Sequence, residues 1–380
     1  MFGGITSLKL KLAKGFCRQF EPYLGSLSEA TNVAVYSFSR RIFEKLFVKY
    51  DLKENIFTSD SCFTKKLWGI KFRIPICNGA GMFKNGDGYD LVAKLGAGAY
   101  IGGTSTFNQR LGNTKSNIFL PFVKLPKSNV SLNYLGLPNL GDEILSRKLY
   151  TKNKVDGCPI GWSVMRSPDF SIDEAQEKLV QSLNLYQNNN LIDFIEINES
   201  CPNVKKGSGD ILKRLDYISE QFLKKRSRHL PVVVKLSNDI CEYTLIEILK
   251  SMIRLGFDGV NLGNTSTNYL NVRESLDDSE VKIYDYFTKN FGGGVSGRLL
   301  KTKSLELCKI AVNELKKLDI KNEFHIIRTG GIEDFDDIQD SLECGISMNQ
   351  WVNGFYFSFL KEGNKVYKNM FENKKFRSYW

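Results

Sequence analysis

The chain of 380 residues has only two histidines, and neither stands in an H-E-x-x-H motif or a cysteine and histidine cluster. A structural or catalytic zinc site is therefore not expected. The eight cysteines form no C-x-x-C pair and follow no signal-peptide pattern, which predicts reduced thiols in a reducing compartment. Apolar runs fall short of the roughly 18 residues that span a bilayer, so any membrane contact is expected at its surface.

Positive charge is in excess, because 53 Lys and Arg residues outnumber 42 Asp and Glu residues and give a formal net charge of +11. The basic residues are spread along the chain, without a recognition motif, so nucleic acid is not an expected partner. Anionic small molecules or an acidic membrane surface fit this charge better. The chain also lacks repeats and low-complexity tracts.

Short β-rich runs alternate with amphipathic stretches from about residue 70 onward. Eight such alternations predict an α/β protein with a closed (β/α)8 TIM barrel. An open doubly wound sheet is less favoured, because G-x-G-x-x-G is missing after the first run. The predicted strands cover residues 72–78, 99–103, 159–164, 194–198, 231–236, 259–263, 324–329 and 347–353, and the clearest helices cover 172–187, 212–225, 243–255 and 303–318.

Residues 1–60 precede the barrel, which is expected to occupy residues 61–380. Apolar and basic residues interleave at 8–20 and 33–49, a pattern typical of two amphipathic helices in a membrane interface. The alternative is a helix pair that plugs the bottom of the barrel, and composition favours neither position. Residues 107–140 form an insertion too long for a plain connection, and we expect it to cover the barrel mouth as a lid or wall.

The segment Asn198-Glu199-Ser200-Cys201-Pro202-Asn203 follows the fourth predicted strand. Its carboxamides donate and accept together, as a flat ring with alternating carbonyl and N–H groups requires. An ionised thiol between them can remove a carbon-bound proton. Taken alone, the segment is more simply a polar loop with a half-buried cysteine, and the ends of the other strands decide between the two interpretations.

Reactive groups of a parallel barrel gather at the carboxyl ends of its strands. Glycine clusters follow the sixth and seventh predicted strands, at 292–297 and 330–331, where barrels bind a phosphate on backbone N–H groups. Lys235 ends an otherwise apolar strand. It therefore needs an anionic partner, either a reduced flavin ring or a structural carboxylate.

With these motifs in matching order and spacing, the chain resembles the dihydroorotate dehydrogenases over almost its entire length. The resemblance implies oxidation of dihydroorotate to orotate in pyrimidine biosynthesis, with FMN as cofactor. A base takes a proton from the ring carbon beside the carbonyl, hydride passes from the neighbouring carbon to the flavin, and Cys201 stands at the position of that base. Lys84 would bridge flavin and substrate, and Lys235 would stabilise the reduced flavin.

The remaining site residues implied by this resemblance fall into two groups. Those matching the substrate pocket are Lys84, Asn133, Gly136, Leu137, Asn198, Asn203, Asn264 and Thr265. Those matching the FMN site are Ala80, Gly81, Lys84, Thr104, Asn198, Lys235, Ser296, Gly297, Gly330, Gly331, Asn353 and Gly354.

The motifs mix two subclasses of this family. Members that reduce soluble acceptors carry a cysteine base and no N-terminal extension, whereas membrane-associated members that reduce a quinone carry a serine base and an N-terminal helical pair. Cys201 and the stretch 136–141 are of the soluble type, and the extension and Lys84 are of the quinone type. Gly103 stands where soluble members have a lysine, and Ser163 stands where quinone-type members have an asparagine that contacts the flavin.

The extension and Lys84 carry more weight, because they concern the architecture and the cofactor site. We therefore expect quinone as the acceptor and a peripheral position on the cytoplasmic side of the inner membrane, with residues 1–60 as the contact. Three alternatives stay open. They are a soluble cytoplasmic enzyme with a fumarate-type acceptor, another FMN barrel acting on a pyrimidine or an enone, and a non-catalytic barrel that binds membrane or nucleotide.

Overall fold

The computed structural model describes residues 27–50, 52, 55–148, 154–199 and 211–376. In chain order the strands are β1 (Lys65–Leu67), β2 (Ile70–Phe72), β3 (Ile76–Asn78), β4 (Tyr100–Ser105), β5 (Thr114–Lys115), β6 (Ile118–Phe119), β7 (Phe122–Leu125), β8 (Val130–Asn133), β9 (Ile160–Val164), β10 (Phe194–Asn198), β11 (Val232–Leu236), β12 (Gly259–Leu262), β13 (Gly294–Gly297), β14 (His325–Thr329) and β15 (Met348–Trp351). The α-helices are α1 (Glu29–Phe47), α2 (Tyr89–Leu95), α3 (Asp142–Lys148), α4 (Ile172–Gln187), α5 (Ile211–Ile218), α6 (Glu242–Leu255), α7 (Tyr269–Arg273), α8 (Val281–Asn290), α9 (Lys301–Leu315), α10 (Phe335–Glu343), α11 (Asn353–Glu362) and α12 (Val366–Phe371).

Eight strands form one sheet in the order β3-β15-β14-β12-β11-β10-β9-β4, and every paired neighbour is parallel. The seam between β3 and β4 is nearly closed by a side chain. Asn78 donates from Nδ2 to the Ile101 carbonyl oxygen at 2.8 Å and accepts from the Ile101 N–H at 3.1 Å. Backbone bonds flank it, from the Gly98 N–H to the Ile76 carbonyl oxygen at 2.9 Å and from the Gly103 N–H to the Phe83 carbonyl oxygen at 3.1 Å. The predicted barrel is confirmed, and each predicted strand overlaps one of these eight.

The helices around the barrel follow the predicted apolar periodicity. Helix α4 spans the predicted residues 172–187, and the Ser171 side chain caps it by accepting from the Glu174 N–H. Its buried Ala175, Leu179 and Leu183 recur at four-residue steps and face the sheet. The predicted helix 212–225 begins as α5 and continues as a short π-helical turn, Ser219–Leu223.

A hairpin formed by β1 and β2 closes the bottom of the barrel. Trp68, at its turn, donates from Nε1 to the Asp258 carbonyl oxygen at 2.9 Å and packs against Phe72 and Phe194. These contacts lie at the amino ends of the barrel strands. The alternative position for the N-terminal helices, beneath the barrel, is therefore wrong for α1, because the hairpin occupies that place.

The insertion folds into antiparallel strands at the opposite end of the barrel. Strand β8 pairs with β7 on one side and with β13, which follows the sixth barrel strand, on the other. Glu280 secures the turn between β7 and β8 by accepting from the N–H groups of Lys127 and Ser128, each at 2.9 Å. The insertion therefore forms a wall of the barrel mouth.

Helix α1 packs on this wall, against β7 and α8. Its last residue, Phe47, is 1% exposed and contacts the ring of Phe359, on α11, with a centroid distance of 4.9 Å. On the outer face, Phe38 and Ile42 remain exposed. Of the two predicted N-terminal helices the second is thus present, and the first, at 8–20, lies outside the described residues. No helix of the described ranges is long and apolar enough to cross a membrane.

Candidate functional site

A cavity of about 340 Å³ opens at the carboxyl ends of the barrel strands. Its floor is made by strand ends of the barrel, one wall by β7, β8 and β13, and the opposite wall by α1 and α11. The size is that of a small-molecule site. The N-terminal helix and the barrel therefore share one cavity.

Most of the predicted site residues line this cavity. They are Ala80, Gly81, Lys84, Thr104, Asn133, Leu137, Asn198, Lys235, Asn264, Thr265, Ser296, Gly297, Gly330, Gly331, Asn353 and Gly354. Gly136 does not line it, although its neighbours Leu135 and Leu137 do, and its carbonyl oxygen accepts from Arg110 Nε at 3.1 Å. Cys201 and Asn203 lie outside the described residues.

Three carboxamides converge at one side of the cavity. Asn264 donates from Nδ2 to Asn198 Oδ1 at 3.2 Å, and Asn198 donates from Nδ2 to Thr104 Oγ1 at 3.3 Å. Asn133 reaches the same space from β8 and donates to the Gly294 carbonyl oxygen at 3.4 Å. Long hydrogen bonds of this kind can be exchanged for bonds to a ligand that offers its own donors and acceptors.

Thr265, next to this cluster, has a buried hydroxyl oxygen with no hydrogen-bond partner among the described residues. An unsatisfied buried hydroxyl carries a free-energy cost of about 1–3 kcal/mol, which a polar ligand would relieve. The unsatisfied hydroxyl and the carboxamides therefore favour a ligand with several polar edges.

Lys235 extends from β11 to the cavity floor and is 4% exposed. Its Nζ lies 3.6 Å from Oε1 of Glu196, which is 1% exposed on the neighbouring strand. The alternative in which a structural carboxylate pairs with this lysine therefore applies, and yet the lysine also lines the cavity. Glu196 was not predicted as a partner of Lys235. An acidic residue inside an apolar strand, next to the strand that carries Lys235, could have indicated it.

Lys84 is paired with α1, which sequence reasoning did not foresee. Its Nζ lies 3.2 Å from Glu44 Oε1, and Arg40 Nη1 contacts the same oxygen at 2.6 Å. Burial alone would raise the pKa of Glu44, but the two cations outweigh it and bring the pKa below its usual value. Burial, only partly offset by Glu44, lowers the pKa of Lys84. The spacing of Arg40 and Glu44, four residues apart on one helix face, was the available signal.

Arg40 has buried N–H donors that no acceptor among the described residues pairs with. Its Nε and Nη2 atoms are buried without a hydrogen-bond partner in the described part of the chain. Its guanidinium carbon lies 5.4 Å from the centroid of the Phe122 ring. Apolar residues continue the wall here, among them Val35, Phe43, Leu135, Phe357 and Leu360. This end of the cavity combines an apolar surface with an unsatisfied cationic donor.

Glycines form the other end of the cavity. A Cβ atom at Gly331, whose φ is +73°, would lie 2.4 Å from the Lys301 Cα, and one at Gly354 would lie 2.0 Å from the Ile332 carbonyl oxygen. Gly354 is in the first turn of α11, whose N-terminus has no side-chain cap. Backbone N–H groups at such a helix start bind a phosphate. The glycines, which we call the glycine cradle, therefore bring backbone N–H groups to the cavity that are suited to an anion such as a phosphate.

The structure also describes Ser163 and Gly103, the two positions at which the subclasses differ. Ser163 is fully buried, within hydrogen-bond distance of Thr104 Oγ1 at 2.9 Å, and does not line the cavity. A Cβ at Gly103 would lie 2.2 Å from the Ser163 carbonyl oxygen, so a lysine has no room there. The lysine of the soluble type is therefore excluded by the local backbone.

The segment 200–210, which carries Cys201 and Asn203, is flanked by an ion pair. Glu199, just before it, accepts from Arg214 Nε at 3.0 Å and from Arg214 Nη2 at 2.8 Å. Both side chains are buried. The pair therefore ties Glu199, next to the cavity-lining Asn198, to the helix α5.

A parallel barrel with carboxamides, a buried lysine and a glycine cluster around a cavity at its mouth has the features of a barrel enzyme that acts on a small molecule. The model of the dihydroorotate dehydrogenase family matches residues 62–373. The chain belongs to the dihydroorotate dehydrogenase family.

Curated relatives agree with this assignment. The chain is 28% identical over 311 residues to "Dihydroorotate dehydrogenase (quinone)" of Buchnera aphidicola, covering 78% of this chain and 84% of the relative. It is 29% identical over 301 residues to the protein of the same name from Aliivibrio fischeri, covering 77% and 82%. Among solved structures, a DHODH from Eimeria tenella in complex with ferulenol has a TM-score of 0.70 at 19% identity, covering 88% of this chain and 89% of that one. The last similarity concerns the fold alone.

Proposed function

We propose that this chain is an FMN-dependent dihydroorotate dehydrogenase that passes electrons to a quinone. The observation that carries the proposal is that one cavity combines three kinds of surface. It joins polar residues suited to a pyrimidine and a glycine cradle suited to a phosphate with an apolar end beneath α1. The names of the curated relatives support the same activity.

The residues present fit a flavin mononucleotide. Gly330, Gly331 and Gly354 would hold its phosphate, and Lys235 would face the ring from the barrel floor. A bound flavin would supply the acceptor for hydride and pass the electrons on. The protein contributes orientation and a positive charge beside the ring.

The carboxamides would orient the substrate. Asn133, Asn198 and Asn264 offer donors and acceptors to the edge of the dihydroorotate ring, and Asn203 is expected to complete the set. Cys201, which follows Asn198 by three residues in the sequence, would remove the proton from the ring carbon beside the carbonyl. Lys84 would lie between flavin and substrate.

The apolar end beneath α1 suits a quinone. A quinone has an apolar body and carbonyl acceptors, and the buried N–H groups of Arg40 are donors without a partner among the described residues. Outside, Phe38 and Ile42 are exposed on the same helix beside basic Arg41 and Lys45. This face is suited to peripheral contact with an anionic membrane, on the cytoplasmic side of the inner membrane in our proposal.

A crossed kinetic experiment with two variants tests the proposal. Asn133→Ala should raise the KM for dihydroorotate about tenfold or more, since a cavity-lining carboxamide is lost, and leave the KM for quinone unchanged. Arg40→Gln should raise the KM for a short-chain ubiquinone and leave that for dihydroorotate unchanged. The assay follows orotate formation with quinone or an artificial dye as acceptor.

Other outcomes would identify the alternatives. Turnover of dihydroorotate that is indifferent to Asn133→Ala would point to another flavin barrel whose true substrate is different. Reduction of fumarate but not of quinone would make the chain a soluble-type enzyme with an extension. Purified protein that stays colourless with added FMN would refute the flavin site altogether.

A further inference from the structure

Glu196 lies inside the barrel, two residues before the cavity-lining Asn198 on the same strand, and the proposed reaction does not use it. Its Oε2 accepts from Asn261 Nδ2 at 2.7 Å and from Gln350 Nε2 at 2.8 Å. Its Oε1 accepts from Ser163 Oγ at 3.2 Å and lies 3.6 Å from Lys235 Nζ. Four groups from four other strands thus surround one carboxylate.

The same network also fixes Lys235. Gln350, which donates to Glu196, accepts from Lys235 Nζ with its Oε1 at 3.4 Å. Thr329 in turn donates to Asn261 Oδ1 at 2.7 Å. Because Glu196, Lys235, Asn261 and Gln350 are buried on barrel strands and share these hydrogen bonds, the lysine and the carboxylate cannot move independently.

We propose that Glu196 is a positioning residue that acts through Lys235 and thereby sets the reduction potential of the flavin. This inference rests on the proposed function. With a flavin bound beside it, Lys235 would interact with Glu196 while the ring is neutral and would face two anions once the ring carries a negative charge. Because the carboxylate shares the charge of the ammonium, it keeps the reduction potential lower than Lys235 alone would.

Glu196→Gln tests this directly, because the variant keeps the shape and removes one negative charge. The potential is measured by equilibrating the flavin-loaded protein with a reference dye and following flavin absorbance. We expect the ratio of reduced to oxidised flavin at a fixed ambient potential to rise at least tenfold, which is about 30 mV for a two-electron couple. An unchanged or lower potential overturns the proposal.

A matched control neutralises another buried carboxylate. Asp142 is fully buried and accepts from Tyr186 Oη at 2.7 Å, and it neither lines the cavity nor pairs with an ammonium among the described residues. Asp142→Asn should leave the potential unchanged. A shift equal to that of Glu196→Gln would show a general effect of lost charge and overturn the specific role.

A double variant separates action through Lys235 from direct action on the flavin. In a Lys235→Met background, Glu196→Gln should shift the potential much less than in the wild-type background, because the ammonium through which the carboxylate acts has been removed. The same shift in both backgrounds would contradict the proposal. If Glu196→Gln does not fold, Glu196→Asp should give a smaller shift of the potential, of the same sign. An unchanged potential in Glu196→Asp would then contradict the proposal.

Failure of the proposed function is distinguishable from failure of this inference. A wild-type protein that binds no FMN would refute both. A wild-type protein with bound FMN and normal turnover, together with an unshifted Glu196→Gln variant, would refute the role of Glu196 alone. Flavin content from absorbance is therefore measured for each variant first.

Discussion

Glu44→Gln removes the carboxylate that ties α1 to Lys84 and leaves the shape of the side chain almost unchanged. The side chains of Glu44 and Lys84 are 25% and 14% exposed, with their charged atoms 3.2 Å apart. At an effective dielectric constant of about 20, the gross attraction at this distance is about 5 kcal/mol, and desolvation cancels much of it. Exposed ion pairs contribute less than about 1 kcal/mol to stability, and breaking a buried pair costs about 3–5 kcal/mol. For this partly buried pair we expect Glu44→Gln to lower the free energy of unfolding by about 2 kcal/mol.

The loss should depend on pH in a defined direction. The pKa of Glu44 in the folded protein is below its ordinary value of 4.5. A carboxyl group with a depressed pKa contributes stability that is present above the unfolded value and is lost as the pH falls through the folded value. The difference in unfolding free energy between wild type and Glu44→Gln should therefore have its largest value near neutral pH and become smaller as the pH falls below 4.5.

Urea unfolding of wild type and variant, followed by circular dichroism at several pH values, measures this difference. Glu143→Gln is the matched control, because Glu143 makes an exposed pair with Arg147 in which the side chains are 69% and 73% exposed. It should cause no measurable change. A Glu44→Gln difference that is the same in acid as at neutral pH would refute the electrostatic explanation.

Two further predictions concern the reaction. Cys201→Ala should reduce the rate of orotate formation at saturating substrate by about 100-fold or more, because general-base catalysis is lost. Cys201→Ser should retain more activity than Cys201→Ala. Equal rates in wild type and Cys201→Ala would exclude the thiol as base. Gly331→Ala should displace the backbone beside the cavity and lower the flavin content of the purified protein, since φ is +73° and the new Cβ would lie 2.4 Å from the Lys301 Cα. Absorbance of the purified variant checks this, and a normal flavin content would contradict the phosphate cradle.

Much of the fold could be predicted from the sequence because local pattern and topology agree. Apart from Lys235, strand β11 (Val232–Leu236) is an apolar run, as expected for a strand buried on both faces. Helix α4 combines a serine cap with apolar residues at helical spacing. The hairpin at 65–72 was not predicted, because its two strands have three residues each and its role depends on contacts with distant strand ends.

The candidate site was predictable where the side chain itself carries the chemistry. Residues such as Asn264 and Gly331 stand in motifs that end barrel strands, and the structure places them around one cavity. The position of α1 could not be derived, since an amphipathic helix fits equally well at the bottom or the mouth of a barrel. Consequently Arg40 and Glu44 were missed, because their partners come from the barrel and the insertion.

The central claim is that a flavin bound in one cavity takes electrons from dihydroorotate at the polar end and passes them to a quinone at the apolar end. The most direct measurement is anaerobic addition of dihydroorotate to the purified yellow protein, followed by reoxidation with ubiquinone or fumarate in parallel. We predict bleaching of the flavin absorbance and fast reoxidation by ubiquinone only. Bleaching with reoxidation by fumarate alone would contradict the role of α1 and Arg40, and no bleaching would contradict the substrate.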